Sequence, residues 1–205
     1  MNHNATVYLL AFISGFSIMS IELLGGRLLA PYFGSSIYVW GSIITVFMLS
    51  LSIGYLVGGR LSLHAPSMGR FALIFLAGAV CLYPLVLLAE PVMVRVFESI
   101  EDPRYGSLVA SGVLFIVPTV ILGMISPYSV RLLVETRERA GHVAGRLYFV
   151  STLGSALGTL MTSFYLVLWF EMNTTLTALT AALLVCAAVA GLRATRDSAP
   201  PRAEQ

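Results

Sequence analysis

LLAPYFGSSIYVWGSIITVFMLSLSIGYLVGG, residues 28–59, carries no charged side chain from end to end. A helix rises about 1.5 Å per residue, so roughly 20 apolar residues cross a hydrocarbon core of about 30 Å. The stretch is too long for one simple crossing. Pro31-Tyr32-Phe33-Gly34-Ser35-Ser36 interrupts it, and proline and glycine both disfavour a continuing helix. It therefore reads as the end of one membrane helix, a break, and a second complete helix. Working outward, further uncharged windows cover 1–21, 71–89, 105–130, 147–170 and 172–192. The sequence predicts an all-α polytopic membrane protein with six helices, at about 6–30, 37–59, 69–96, 106–134, 143–170 and 173–192. One transmembrane domain spans 1–192, and the mixed-charge, proline-containing segment 193–205 is expected to be a disordered cytoplasmic tail.

Composition agrees. Of 205 residues, 58% are hydrophobic and 11% charged, where a soluble domain carries nearer a quarter charged, so the outer surface is expected to face the lipid bilayer. The net charge of +2 is small and the basic residues are scattered, which argues against nucleic acid as a partner. Cys81 and Cys186 lie inside apolar helices without ligand-type neighbours and read as packing residues. No residue pattern points to a metal or a cofactor, and no nucleophile–base pair points to a catalytic residue. His3, His64 and His142 have no second ligand at metal spacing. The N-terminal apolar run has no preceding Arg or Lys and no clear small-residue cleavage site, so it is expected to be a retained first helix.

With six alternating helices, Arg60, Arg70, Arg131, Arg137, Arg139, Arg146, Arg193, Arg196 and Arg202 share one side, leaving Arg27, Arg95 and Arg104 on the other. Basic residues stay on the cytoplasmic side during insertion, so both termini are expected in the cytoplasm. A faint repeat is also visible. Ala30-Pro31-Tyr32 matches Ser126-Pro127-Tyr128, and small residues recur at Ser50, Gly54 and Gly58 and at Gly154 and Gly158. Two copies of three helices must lie in opposite orientation, the inverted-repeat plan of many secondary transporters. Four-residue spacing of Gly54 with Gly58, and of Gly154 with Gly158, equally reads as close helix packing.

Glu22 sits well inside the first helix, where a charge at the bilayer centre costs about 2.5–3.5 kcal/mol. Gly15, Met19, Glu22 and Gly26 share a helical face, so the carboxylate is expected to point at another helix or a wet cavity. It is a candidate for cation binding, proton coupling or a buried ion pair. Arg27 follows off that face, and Glu90 of the third helix is a candidate partner for it. Tyr32, Phe33, Tyr38 and Trp40 gather near the same outer zone. They read as an interfacial belt, or as a cavity lining suited to an organic cation.

The run Ser20-Ile21-Glu22-Leu23-Leu24-Gly25-Gly26-Arg27-Leu28-Leu29-Ala30-Pro31-Tyr32-Phe33-Gly34-Ser35-Ser36 resembles the membrane domain of bacterial proteins described as fused major-facilitator/spermidine-synthase-like. Tyr38-Val39-Trp40, Gly54-Tyr55-Leu56-Val57-Gly58-Gly59-Arg60-Leu61, Leu122-Gly123-Met124-Ile125-Ser126-Pro127-Tyr128, Gly145-Arg146-Leu147-Tyr148 and Ser151-Thr152-Leu153-Gly154-Ser155 extend the likeness over helices 1 to 5. Members often continue into an aminopropyltransferase-like domain; here no Gly-rich nucleotide loop following a strand occurs. Gly58-Gly59-Arg60-Leu61-Ser62-Leu63-His64 also lacks the acid of the major-facilitator loop motif. The resemblance implies a major-facilitator-like half bundle in a bacterial inner membrane, acting as a homodimer that completes a central cavity. It implies a polyamine or related organic cation as small-molecule substrate. Glu22 would be the cation or proton site, Tyr32, Tyr38 and Glu90 contributors, and Arg27 the group that orients or neutralises Glu22. The alternative it implies is an accessory protein that docks a soluble aminopropyltransferase-like partner on the loop holding Arg131, Glu135, Arg137, Glu138, Arg139 and Arg146.

Overall fold

The computed structural model describes residues 2–134 and 136–197, with Arg137 and Asp197 given by backbone alone. Six helices are long and apolar enough to cross a membrane: α1 His3–Phe33, α2 Ile37–Leu61, α3 Met68–Ser99, α4 Pro103–Leu133, α5 Ala140–Trp169 and α6 Met172–Asp197. Among the described residues there is no strand. The chain is an all-α, multi-pass membrane protein.

Sequence chemistry sets the helix ends. Gly34, at φ 79°, ends α1 with its N–H on the Ala30 carbonyl at 2.9 Å, a conformation glycine adopts without a Cβ penalty. Pro31 was expected to open the break but lies inside α1's last turn. Losing one N–H did not stop the helix; the positive φ did. Asp102 caps α4, its carboxylate accepting from the Arg104 N–H at 2.9 Å with Pro103 at the first helical position. At the far end α6 runs on through Asp197, past the predicted limit at 192, so residues 193–197 are helical rather than tail. The rest of the expected disordered tail, 198–205, lies outside the described residues.

Three helices are not uniform. α3 breaks at Tyr83, just before Pro84, and α4 breaks at Met124. α5 contains a π-helical turn over Thr162–Leu166. Pro127 has no N–H for the Gly123 carbonyl four residues earlier, which accounts for the break in α4.

The helices pack as α1 with α5, α2 with α4, and α3 with α6. Exchanging the first three helices for the last three leaves that set of pairs unchanged. The two glycine pairs create the first two contacts. A Cβ at Gly154 or Gly158 would strike the Phe12 or Phe16 carbonyl of α1. A Cβ at Gly54 or Gly58 would strike the Val120 or Met124 carbonyl of α4. Gly15 returns the contact against Ser151, and Gly123 against Leu51. With so little apolar difference between lipid and side chain, this backbone approach and its dispersion energy hold the pairs. The tripeptide match does not mark the same register: Pro31 lies within the last turn of a helix, whereas Pro127 follows a break inside one.

Phe47 and Phe115 pack at 5.4 Å between α2 and α4, and Phe71 stacks on the fully buried Tyr128 at 5.7 Å. The Tyr128 hydroxyl accepts from the Ser67 N–H at 3.0 Å, fixing the α2–α3 loop to α4. One shallow cavity touches His3, Pro66, Arg131 and Ala194, so the N-terminus, the α2–α3 loop and the ends of α4 and α6 share one end of the bundle.

Candidate functional site

The glycine contacts pull α1 onto α5 and α2 onto α4, and a cavity of about 460 Å³ remains where the four helices meet. From α1 it is lined by Ser14, Gly15, Ile18 and Met19, and from α5 by Tyr148, Ser151, Thr152 and Ser155. α2 supplies Leu51 and Tyr55; α4 supplies Leu122, Gly123, Ser126 and Pro127 from either side of its break. Ser155 donates to the Gly15 carbonyl at 3.2 Å, so one hydroxyl ties the two walls together. Tyr55 and Tyr148, 47% and 55% exposed, stand at the mouth.

The lining is neutral and apolar over most of its area, with the hydroxyls of Ser14, Ser126, Ser151, Thr152 and Ser155 set into it. Hydroxyls act as donors or acceptors, and the proline-freed Gly123 carbonyl is a further acceptor. Unwound backbone is tolerated at membrane depth only where protein or a water-filled cavity satisfies it. The lining has no ionised side chain. Such a site can strip water from a polar solute or an organic cation and replace it with protein oxygens, but it cannot neutralise a full charge alone.

The residues singled out by sequence lie elsewhere. Glu22 sits half-buried on α1, one turn past Met19 on the cavity-facing stripe, and no hydrogen bond or ion pair reaches it among the described residues. Arg27 pairs with neither Glu22 nor Glu90; it donates to the Val167 carbonyl at 2.8 Å and to the Phe170 carbonyl at 3.4 Å, closing the end of α5. Orphan carbonyls at a helix C-terminus attract a cation, which outcompetes a distant carboxylate. Tyr32 packs edge-on to Phe97 at 6.0 Å, and Phe33 does the same at 5.9 Å. Tyr38 lies under the Arg104 guanidinium at 4.8 Å, and the Trp40 ring lies against Gly26. Glu90 is exposed on α3. The structure does not bring Glu22, Arg27, Tyr32, Tyr38 and Glu90 together, and none of them lines the cavity.

Sequence reasoning missed the hydroxyls. Their one trace is Ser151-Thr152-Leu153-Gly154-Ser155, where the polar residues surround the packing glycine. Among the described residues no three His, Cys, Asp or Glu side chains gather as metal ligands, and Cys81 and Cys186 are free. Of the loop residues expected to dock a partner, Glu135 and the Arg137 side chain lie outside the described residues. Glu138, Arg139 and Arg146 are exposed at the end of the bundle that holds the N-terminus.

Fold and cavity define the chain as a polytopic helical membrane protein with an uncharged, partly hydroxylated cavity at the meeting of two helix pairs. Comparison with protein-family models, with curated proteins and with solved structures finds no match to the chain.

Proposed function

We propose that this chain is a half-sized secondary transporter of small organic solutes, with polyamine-like cations as the favoured substrates. The observation that carries the reading is the largely apolar cavity with serine and threonine hydroxyls set into its wall beside the broken α4, between pairs that exchange under a three-helix repeat. Discontinuous helices at a repeat interface are where transporters bind their substrates. The cavity oxygens take the solute's N–H groups. Glu22, one turn outward on the same face of α1, supplies the negative charge and exchanges a proton for the cation.

Two copies complete the path. α5 is the least buried of the six helices, and Leu153, Leu157 and Phe164 stand exposed along it. A two-fold partner would cover Tyr55 and Tyr148 and close the cavity. The protein sits in a bacterial inner membrane with both termini in the cytoplasm, as the clustering of Arg60, Arg70, Arg131, Arg139 and Arg146 at one end favours.

The test is uptake of labelled putrescine and spermidine into sealed liposomes, against neutral and anionic solutes, with and without a pH gradient. Saturable cation uptake that responds to the gradient, and loses that response in Glu22→Gln, supports the reading. Undiminished, gradient-driven uptake in Glu22→Gln removes Glu22 from the mechanism. Absence of uptake of any solute by folded protein would move the reading to the accessory role, with an aminopropyltransferase-like partner.

A further inference from the structure

A second cavity, of about 730 Å³, opens between the first turns of α1 and α5 at the end of the bundle that carries the N-terminus. Arg139, in the 3-10 turn just before α5, lines it together with His142 and Arg146, which lie four residues apart on one face of α5. Asn2, at the N-cap of α1, and Asn4 and Tyr8 of α1 line the opposite side. Glu138 also lines the space, so two guanidiniums stand against one carboxylate and the cavity is cationic. Among the described residues no hydrogen bond or ion pair links Arg139, His142 or Arg146 to another side chain, and all three are exposed.

A third cavity, of about 480 Å³, adjoins it and shares Tyr8, His142 and Arg146. Its other walls include Phe149 and Val150, the next turn of α5. Moving three residues along α5 from Arg146 to Phe149, about 4.5 Å toward the bilayer interior, the lining passes from cationic to apolar. A glycerophospholipid has the same order of chemistry over the same span: anionic phosphodiester, then acyl chain. Basic pockets between membrane helices at the interface hold such headgroups.

We propose that Arg139, His142 and Arg146, with Asn2 and Asn4, bind the phosphodiester of an anionic phospholipid whose acyl chain lies along Phe149 and Val150. Arg139 and Arg146 donate to the phosphate oxygens, His142 adds one N–H, and Tyr8 separates headgroup from chain. A soluble phosphate would satisfy the guanidiniums but would leave the apolar half of the site empty. This site is independent of transport and stands or falls on binding alone.

The test is lipid retention by purified, delipidated full-length protein in detergent, read by native mass spectrometry. Equimolar palmitoyl-oleoyl phosphatidylglycerol and phosphatidylcholine compete, with inorganic phosphate added in a parallel arm. The proposal expects phosphatidylglycerol to be retained over phosphatidylcholine and not displaced by millimolar phosphate. The double variant R139Q/R146Q should weaken phosphatidylglycerol about fivefold per guanidinium, and Phe149→Ser should weaken it as well. The exposed pair R60Q/R131Q, at the same end but outside the cavity, should leave retention unchanged. Equal retention of the two lipids overturns the proposal, as does equal loss in both arginine pairs. Displacement by inorganic phosphate reassigns the site to a soluble anion. The wild-type competition decides the matter even if a variant fails to fold.

Discussion

Gly154 meets the Phe12 carbonyl oxygen where any other residue would place a Cβ, and Gly41 meets nothing within 4 Å. The same residue type thus has opposite roles in two helices. Gly154→Leu has to part α1 from α5, and overpacking of that kind costs about 1–3 kcal/mol. Gly41→Ala, in a helix interior with open space, should be neutral or stabilise by up to about 1 kcal/mol. Thermal unfolding in detergent separates them: a lowered midpoint for the first and an unchanged or raised one for the second. Equal midpoints would sink the packing account. Spacing in the sequence already pointed to Gly54, Gly58, Gly154 and Gly158 as packing positions, because four residues return to the same helical face. It carried no sign that Arg27 turns to the Val167 and Phe170 carbonyls, because that choice depends on where α5 ends in space.

At the scale of the helix, six spans were legible from uncharged length alone, since lipid rewards apolar runs and tolerates no unpaired backbone. Their irregularities were not. Pro31, Pro84 and Pro127 are alike in sequence, yet Pro31 stays in helix, Pro84 follows a break, and Pro127 follows a break that lines a cavity. The difference lies in the neighbours: α2 packs closely against Gly123, and Gly123 and Pro127 both line the cavity. Pro127→Ala restores that N–H and should straighten α4. The expected result is an unchanged or higher unfolding midpoint with solute uptake reduced at least about tenfold, because the cavity loses its acceptor and its shape. A midpoint that falls while uptake persists would mean that the break serves stability alone.

For the whole molecule, the charge split along the sequence placed the arginines, and the structure gathers the N-terminus, the α2–α3 loop and the ends of α4 and α6 at one end. In a background lacking Cys81 and Cys186, a cysteine at Ala65 should be labelled only from the cytoplasmic side and one at Asp102 only from the other. The reverse pattern would invert the orientation. The site was the least legible part. Sequence reasoning looked for charge inside the membrane and found Glu22, whereas the cavity is uncharged, its few hydroxyls set among apolar side chains of four helices. Serine and threonine are common in membrane helices, and only the meeting of α1, α2, α4 and α5 singles out Ser14, Ser126, Ser151 and Ser155.

Solute binding in this cavity is the proposal that the oxygens of Ser126 and Ser155 put most directly at stake. The most direct measurement compares saturable spermidine uptake into liposomes by wild-type protein and by Ser126→Ala/Ser155→Ala, at matched unfolding midpoints. Two lost hydrogen bonds of about 1 kcal/mol each predict an uptake efficiency lower by roughly 10- to 30-fold. Wild-type efficiency in the double variant would mean that the solute binds elsewhere in the bundle.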